Sequence, residues 1–486
     1  MNMKISYLKK SLFGLALIPA VLTTIVSCSN NNVSTETTNV DQIKVATFNA
    51  SLATDNDKEE SLQIWIQFFS YTHDEQNQMI AKWNKYQGKV TEGQYTKEEK
   101  DLAERLMQIR NIAAIIQKNR PDVLLINEFN NDGMGGNKTM ELFQNNYLKY
   151  GQSLNGPDGG DLQDPIIYPE IQSYATNTGL SSGMDLDNDG IKDNSPNDKF
   201  GFGYYHGHYA FGLMSKFPID RQNTRTFQKF LWKDMKDENN QAVQIPKIVR
   251  DKDDKNKPYK LPNGMTIGDD WFSQDEWKQL RLSSKNHVDV PIIVNGKPIH
   301  LLLSHPTPPV FDTVTDTNLI RNRLEVLFWK HYIENQNWIY DDNGKTGGID
   351  GSKEKFIIMG DLNADNFDSD NKPAESRKGI KLLSSSNLVN KSFVDGDKTP
   401  VSNGGKSEKN SNKHIRPEAR TSTFGLRVDW TLPSNNLKIK NSGVYWADEN
   451  EPGRLLFNDS RVGQGFSKWI SSDHRLVWME LDLSKK

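Results

Sequence analysis

Eight polar side chains in this 486-residue chain border short apolar runs and carry groups that can take part in catalysis. Carboxylates and amides supply the oxygen ligands that hard divalent cations prefer, and imidazoles exchange protons near neutral pH. Cleavage of a phosphate ester needs such ligands, a base that activates water and a donor that stabilises the developing charge. The oxygen donors and imidazoles are those of Asn49, Glu128, Asp361, Asn363, Asp429, Asp473, His305 and His474.

Predicted strands place several of these side chains where a strand ends. Asn49 follows residues 43–48, Glu128 follows residues 123–127, and His305 follows residues 299–304. Aspartate and asparagine commonly end strands, so one such residue alone says little. Several in one chain favour a sheet-based enzyme, in which polar groups converge where strands end and loops begin.

Apolar periodicity predicts the remaining elements of the body. Spacings of three and four predict an amphipathic helix over residues 97–120, and further helical stretches over residues 62–69 and 318–334. Composition predicts a long loop over residues 150–200 and insertions over about 51–95 and 225–275. Further strands are predicted at residues 210–214, 288–294, 356–359, 427–432 and 476–481.

Seven short motifs occur in a fixed order over residues 43–482, and together they resemble the endonuclease/exonuclease/phosphatase family. That resemblance implies an α+β fold, a DNase I-like four-layer α/β/β/α sandwich, with one domain over residues 41–486. It also implies hydrolysis of a phosphodiester or phosphomonoester by activated water. The motifs are Thr47-Phe48-Asn49, Ile126-Asn127-Glu128, Tyr209 with the run Leu213–Ile219, Ser304-His305-Pro306, Gly360-Asp361-Leu362-Asn363, Arg427-Val428-Asp429-Trp430 and Ser472-Asp473-His474.

The same resemblance implies a metal site and a base. Glu128 and Asp473 would hold a catalytic Mg²⁺ or Mn²⁺, with Asn49 nearby. His474, oriented by Asp429, would activate the attacking water. A carboxylate beside an imidazole fixes its tautomer and stabilises its charged form, which gives that pairing a physical basis.

Four further residues receive roles from the resemblance. Asp361 and Asn363 would position water or the leaving group. His305 would donate to a phosphate oxygen, and Tyr209 would contact the phosphate. Lys285 is equally well interpreted as a phosphate contact or as a solvated surface charge.

An acidic segment predicts a second, structural cation site. Asp185, Asp187, Asp189 and Asp193 place carboxylates at alternate positions around a glycine turn, which resembles a calcium loop. The segment is not an EF-hand, because Pro196 stands where the bidentate glutamate should be. We expect a bound Ca²⁺ here rather than a merely acidic loop.

The N-terminus predicts export and lipid anchoring. Residues 1–27 combine three lysines with an apolar run over residues 12–26, as in a secretory signal peptide. Cys28, the single cysteine of the chain, follows in a context that resembles a bacterial lipobox. We therefore expect a lipid on Cys28, a flexible polar tether over residues 28–40 and a location on the extracellular face of the cell membrane.

The composition argues against some classes of partner but does not identify the substrate. The mean hydropathy of -0.71 argues against several membrane spans, and a net charge of -3 does not indicate a grip on long nucleic acid. The substrate could be nucleic acid or a phospholipid head group, so a nuclease and a sphingomyelinase-like phosphodiesterase both stay open. A solute-binding lipoprotein or adhesin is the alternative without catalysis. We expect a monomer.

Overall fold

The structure is a computed structural model, and it describes residues 39–53, 62–252, 257–262, 264–367, 374–408, 414–462 and 469–484. Val40–Lys486 form one compact unit. The predicted signal peptide, Cys28 and most of the predicted tether lie outside the described residues.

Strands of the described residues form two sheets. The first sheet has six strands in the order β10-β11-β1-β2-β4-β3, and the second has five in the order β5-β6-β7-β8-β9. Within the sheets, β1 runs parallel to β2 and β7 runs parallel to β8, while the other neighbouring pairs are antiparallel. The strands are β1 Gln42–Asn49, β2 Val123–Asn127, β3 Glu170–Ser173, β4 Phe211–Ser215, β5 Arg225–Thr226, β6 His287–Val294, β7 Lys297–Ser304, β8 Phe356–Asp361, β9 Asp429–Pro433, β10 Lys438–Tyr445 and β11 Leu476–Asp482.

Alternation along β1 explains how the two sheets stack. Val45 packs into the core that also contains the second sheet, whereas Ala46 and Phe48 pack with the helices. Thr47 points the same way as Val45, and its hydroxyl donates to the Trp430 carbonyl in β9 over 2.8 Å. Because side chains alternate along a strand, Asn49 at the end of β1 also faces the second sheet.

Helices cover both outer faces. The longest begins after Thr96, which forms a capping box with Glu99, and ends at Arg120 in a left-handed conformation before Pro121. None of the described helices is both long and apolar enough to cross a membrane. The helices are α1 Leu62–Ser70, α2 His73–Tyr86, α3 Lys97–Asn119, α4 Lys138–Phe143, α5 Gln274–Trp277, α6 Thr317–Ile333, α7 Ala374–Ser385, α8 Lys391–Val394 and α9 Asn403–Ser407.

These layers confirm the predicted α+β fold of four layers. Ile112 and Ile116 of α3 pack on the first sheet, and Leu327 of α6 belongs to the core of the second. Two expectations need correction. The segment 150–200 is not all loop, since it supplies β3 at the sheet edge, and the strand expected over 427–432 is Asp429–Pro433.

His287 at the start of β6 makes folding sensitive to acid. The ring is 1% exposed, with Nδ1 3.0 Å from the Ser283 hydroxyl and Nε2 2.8 Å from the Glu325 carbonyl. Burial lowers the pKa of His287 to about 4, so protonation favours the unfolded chain. The stability that neutral His287 provides is therefore complete above pH 6.5 and is lost as the pH falls toward 4.

We expect this loss to reach about 3 kcal/mol in the free energy of unfolding. Urea unfolding at several pH values should show a steeper fall in the free energy of unfolding toward acid pH for the wild type than for His287→Gln. The glutamine at position 287 does not titrate. Parallel pH curves for the two proteins would refute this account.

Candidate active site

Strand direction brings the sequence-predicted residues to one end of both sheets. Asn49 ends β1, Glu128 follows the parallel β2, and Asp361 ends β8 opposite Asp429, the first residue of the antiparallel β9. His474 lies just before β11, whose first residues pair with the end of β1. The topology therefore places these side chains in one cluster.

His474 lies between two buried carboxylates. Its Nδ1 is 3.0 Å from Asp429 Oδ2, and its Nε2 is 3.7 Å from Asp361 Oδ2. Burial disfavours a charged ring, but Asp429 and Asp361 outweigh burial and raise the pKa of His474 well above its ordinary value. Phe424 packs edge-on against the ring at 5.4 Å, and the Ser472 hydroxyl accepts the His474 backbone N–H. The ring is thus fixed on three sides.

Asn49 joins the two sheets at this point. Its amide nitrogen donates to Glu128 Oε1 over 3.1 Å and to Asp361 Oδ2 over 3.0 Å. Burial, followed by the charge of Asp473, raises the pKa of Glu128 to about 7. Burial also raises the pKa of Asp361 to about 6, although His474 opposes it. Negative charge is therefore in excess around Asn49.

This excess fits a divalent cation. Glu128 and Asp473 are close enough for their charges to interact, and the Ser51 hydroxyl orients Asp473 by donating to its carboxylate. Ligand atoms of Asp361, Asp429 and His474 also lie within 4.8 Å of one another. The donors are chiefly carboxylate oxygens, which suit Mg²⁺, Mn²⁺ and Ca²⁺. A cation would relieve the repulsion that raises the pKa of Glu128.

Two further side chains, those of His305 and Lys285, belong to the cluster on the side of the second sheet. His305 Nε2 is 3.6 Å from Asp361 Oδ2, and burial together with the charge of Lys285 lowers the pKa of His305 well below its usual value. Lys285 is only 6% exposed, and burial lowers its pKa against the attraction of nearby carboxylates. Lys285 is therefore not a solvated surface charge. Asn363 donates from its amide to the Pro306 carbonyl over 3.1 Å.

Tyr209 approaches the cluster from the first sheet. Its backbone N–H donates to Asn130 Oδ1 over 3.0 Å, and its ring stacks on His208 with 3.7 Å between centroids. Burial and then the charge of Glu128 raise the pKa of the Tyr209 hydroxyl, so it stays protonated. His208 itself is buried, and His206 Nε2 lies 2.9 Å from the Thr176 carbonyl.

Backbone conformations of low population surround the cluster. Ser51, Glu128, Tyr209 and Asn363 have φ values of +48°, +53°, +57° and +49°. Such values are uncommon outside glycine and concentrate at functional sites. Gly360 has a φ of +151°, and a Cβ atom there would lie 1.9 Å from the Ser304 carbonyl. Only glycine at position 360 therefore allows the backbone before Asp361 to approach the end of β7 this closely.

Glu325 is a site residue that sequence reasoning missed. It lies on α6 behind the cluster and is fully buried. One carboxylate oxygen accepts the Ser284 N–H over 2.7 Å, and the other accepts the Thr307 N–H over 2.7 Å. Ser284 precedes Lys285 and Thr307 follows His305 by two residues, so Glu325 holds the two loops that carry Lys285 and His305. No signal in the sequence identified Glu325, because it lies in an otherwise helical pattern.

The acidic segment forms a turn with its own group of carboxylates. The structure brings Asp185 and Asp187 within 4.8 Å of Asp198, which the sequence analysis did not consider. Asp193 instead forms an ion pair with Lys199 over 2.8 Å. The Asp189 carboxylate accepts hydrogen bonds from its own turn, including the Ile191 N–H.

Comparison with known proteins places this geometry in context. A family model described as the Endonuclease/Exonuclease/phosphatase family matches residues 91–474. No curated protein sequence matches the chain.

Several solved structures are similar to this chain at low sequence identity. An endonuclease/exonuclease/phosphatase from Beutenbergia cavernae DSM 12333 is 14% identical, with 92% of this chain and 72% of that chain covered and a TM-score of 0.41. The human Nocturnin catalytic domain is 12% identical, with 91% and 93% covered and a TM-score of 0.37. Beta toxin from Staphylococcus aureus is 12% identical, with 90% and 99% covered and a TM-score of 0.35.

Proposed function

This chain belongs to the endonuclease/exonuclease/phosphatase family, and from that premise we propose that it is an exported, metal-dependent hydrolase of phosphodiesters or phosphomonoesters. The observation that carries the proposal is the position of His474 between Asp429 and Asp361, beside the carboxylates of Glu128 and Asp473. A protein that only bound a solute would have no need of this combination.

Glu128, Asp473 and Asn49 are the residues that would hold the cation, for which we propose Mg²⁺ or Mn²⁺. When bound, such a cation neutralises phosphate charge and makes water a better nucleophile. The carboxylates would then be ionised, since the cation offsets their mutual repulsion. A positive charge beside the imidazole also opposes its protonation and thereby prepares a neutral base.

His474 would remove the proton from the attacking water at Nε2. Asp429 holds Nδ1 as the protonated nitrogen, which leaves Nε2 free to accept. Asp361 and Asn363 would position the water or the leaving group. Neutral His305, the Tyr209 hydroxyl and the Lys285 ammonium would donate to phosphate oxygens as negative charge develops.

A substrate panel tests this proposal. The full-length protein in mild detergent is incubated with DNA, RNA, sphingomyelin, bis(p-nitrophenyl) phosphate and p-nitrophenyl phosphate, each with Mg²⁺ or Mn²⁺. Hydrolysis of at least one ester, lost in excess chelator, is the expected result. Full activity in chelator contradicts metal dependence. Binding of a substrate without turnover under any condition contradicts the enzyme proposal.

We further propose that Cys28 is lipid-modified and anchors the mature chain to the extracellular face of the membrane. The lone cysteine follows the signal-like segment directly. Mass spectrometry of the native protein should find an acylated N-terminal peptide that begins at Cys28, and Cys28→Ser should release the protein from the membrane fraction. A mature chain that begins at Met1 would exclude this anchor.

We also propose that the turn at Asp185 and Asp187 binds a structural Ca²⁺, with Asp198 beside them. A ligand that binds only the folded state raises stability by about 2.7 kcal/mol at one hundred times its Kd. Calcium should therefore raise the Tm of the chain, and Asp185→Asn with Asp187→Asn should remove most of that rise. Exposed Asp251→Asn serves as the control. The comparison is made in a Glu128→Gln background, so that the active site does not contribute. An equal calcium response in both variants would show that the turn is only acidic.

A further inference from the structure

A second concave site lies on the helical side of the first sheet, between α2, α3 and the loop over residues 151–162. It is a cavity of about 370 Å³, and its lining includes His73, Asn77 and Arg110. We propose that this cavity binds a small hydroxylated molecule that carries an oxyanion, such as a sugar phosphate. This proposal does not depend on the proposed phosphoesterase activity.

Arg110 supplies the cationic group of the cavity. Its Nε donates to Gln76 Oε1 over 2.9 Å, and its Nη2 donates to Asn77 Oδ1 over 2.7 Å and lies 2.9 Å from His73 Nδ1. Among the described residues, each of these partners is neutral or an imidazole, and no hydrogen bond involves Nη1. The guanidinium is thus oriented by its neighbours while two of its N–H groups stay available.

Carboxylates are missing from the described lining of this cavity. No described carboxylate forms an ion pair with Arg110, and burial lowers its pKa to about 10, opposed only by Tyr147. Arg110 is partly buried, and it differs from the buried Arg225, whose Nε lies 2.8 Å from Asp341. Even a partly buried arginine favours such a partner, since loss of hydration without a compensating charge is costly. An oxyanion from outside the chain would supply it, because guanidinium binds phosphate and carboxylate well.

Three side-chain amide oxygens in the cavity indicate which further groups the ligand should carry. The side-chain nitrogen of Asn84 donates to the Pro157 carbonyl over 2.7 Å, and that of Asn111 donates to the Ile470 carbonyl over 2.7 Å. Gln152 likewise uses its nitrogen on the Tyr147 carbonyl. These bonds fix the amide orientations, and within the described residues no donor reaches the three amide oxygens. The oxygens are acceptors, so they suit hydroxyl groups of the ligand.

Calorimetry on the full-length protein in chelator tests the proposal, with ribose 5-phosphate, ribose and inorganic phosphate as probes. We expect ribose 5-phosphate to bind at least about 10-fold more tightly than ribose or phosphate alone. A hydrogen bond to a charged group contributes about 1.5–3 kcal/mol, so Arg110→Gln should weaken binding by about 10- to 100-fold. Arg120→Gln, at the exposed end of the same helix, is the matched control.

A second variant covers the case in which Arg110→Gln fails to fold. Asn77 is exposed and contacts Arg110, so Asn77→Asp places a carboxylate against the guanidinium while the arginine stays in place. Loss of ribose 5-phosphate binding in Asn77→Asp, with phosphoester hydrolysis unchanged, supports the site. Absence of binding to the wild type, or binding that survives Asn77→Asp, overturns it and leaves Arg110 as a structural link between α2 and α3.

Discussion

Glu128→Gln should abolish phosphoester hydrolysis and leave the chain folded. Glu128 follows β2 among buried acids, and burial, followed by the charge of Asp473, raises its pKa to about 7. Glutamine keeps the shape and the hydrogen bond from Asn49 but loses the charge that would hold the cation. Loss of several kcal/mol of transition-state stabilisation corresponds to a fall in kcat/KM of at least about 100-fold.

Measurements of Tm distinguish this loss of activity from unfolding of the variant. Since the substitution removes one negative charge from a buried cluster, the Tm in chelator should not fall. The rise in Tm that Mg²⁺ causes in the wild type should shrink or disappear in the variant. Glu480→Gln is the matched control, because Glu480 forms a partly exposed ion pair with Lys44 of β1 in the same sheet. A folded Glu128→Gln protein with wild-type turnover and an unchanged Mg²⁺ response would remove Glu128 from the metal site.

Central strands could be predicted from the sequence, whereas three of the four edge strands of the two described sheets could not; the edge strand β9 was predicted with shifted bounds. The expected bounds of β2 match the structure, and those of α3 differ by one residue. Central strands are covered on both faces, so they appear as apolar runs. The missed strands β3, β5 and β10 are all at sheet edges, where one side of the strand has no partner. In β10, half of the residues are polar and most of those are exposed, so its pattern resembles a loop.

The residues that would take part in the chemistry could be predicted from the sequence, but the residues that hold them in place by hydrogen bonds could not. The resemblance of short ordered motifs to the family identified His474, Asp429 and Glu128, because each motif is a continuous stretch of sequence. Glu325 was missed because the residues it holds are 41 and 18 positions away in the chain. Ser51 was missed because a serine two residues after a strand has no distinctive pattern. Long-range hydrogen bonds of this kind depend on how the layers pack, which periodicity does not describe.

His474→Ala should cost about 10²–10⁴-fold in kcat, the usual worth of a positioned general base. The ring is buried, and its Nδ1 is held by Asp429 at 3.0 Å, so the substitution removes the proton acceptor together with the partner that opposes the rise in the pKa of Asp361. Metal content should stay near that of the wild type, because His474 is not proposed as a ligand. His300→Ala is the matched control. His300 also pairs through Nδ1 with an aspartate, Asp289, at 2.8 Å, but it lies in the middle of β7 rather than at the strand ends that form the cluster.

Asp429→Asn tests whether the two residues act as one unit. The amide keeps the size of the side chain but loses the charge that stabilises a protonated ring, so turnover should fall by less than in His474→Ala. Because Asp429 acts through His474, the double variant should be no slower than His474→Ala alone, whereas independent contributions would multiply. Added imidazole should partly restore His474→Ala by supplying a base, and it should not restore Asp429→Asn. Multiplicative losses, or a folded His474→Ala protein with wild-type turnover, would show that Ser472-Asp473-His474 only closes a loop beside β11.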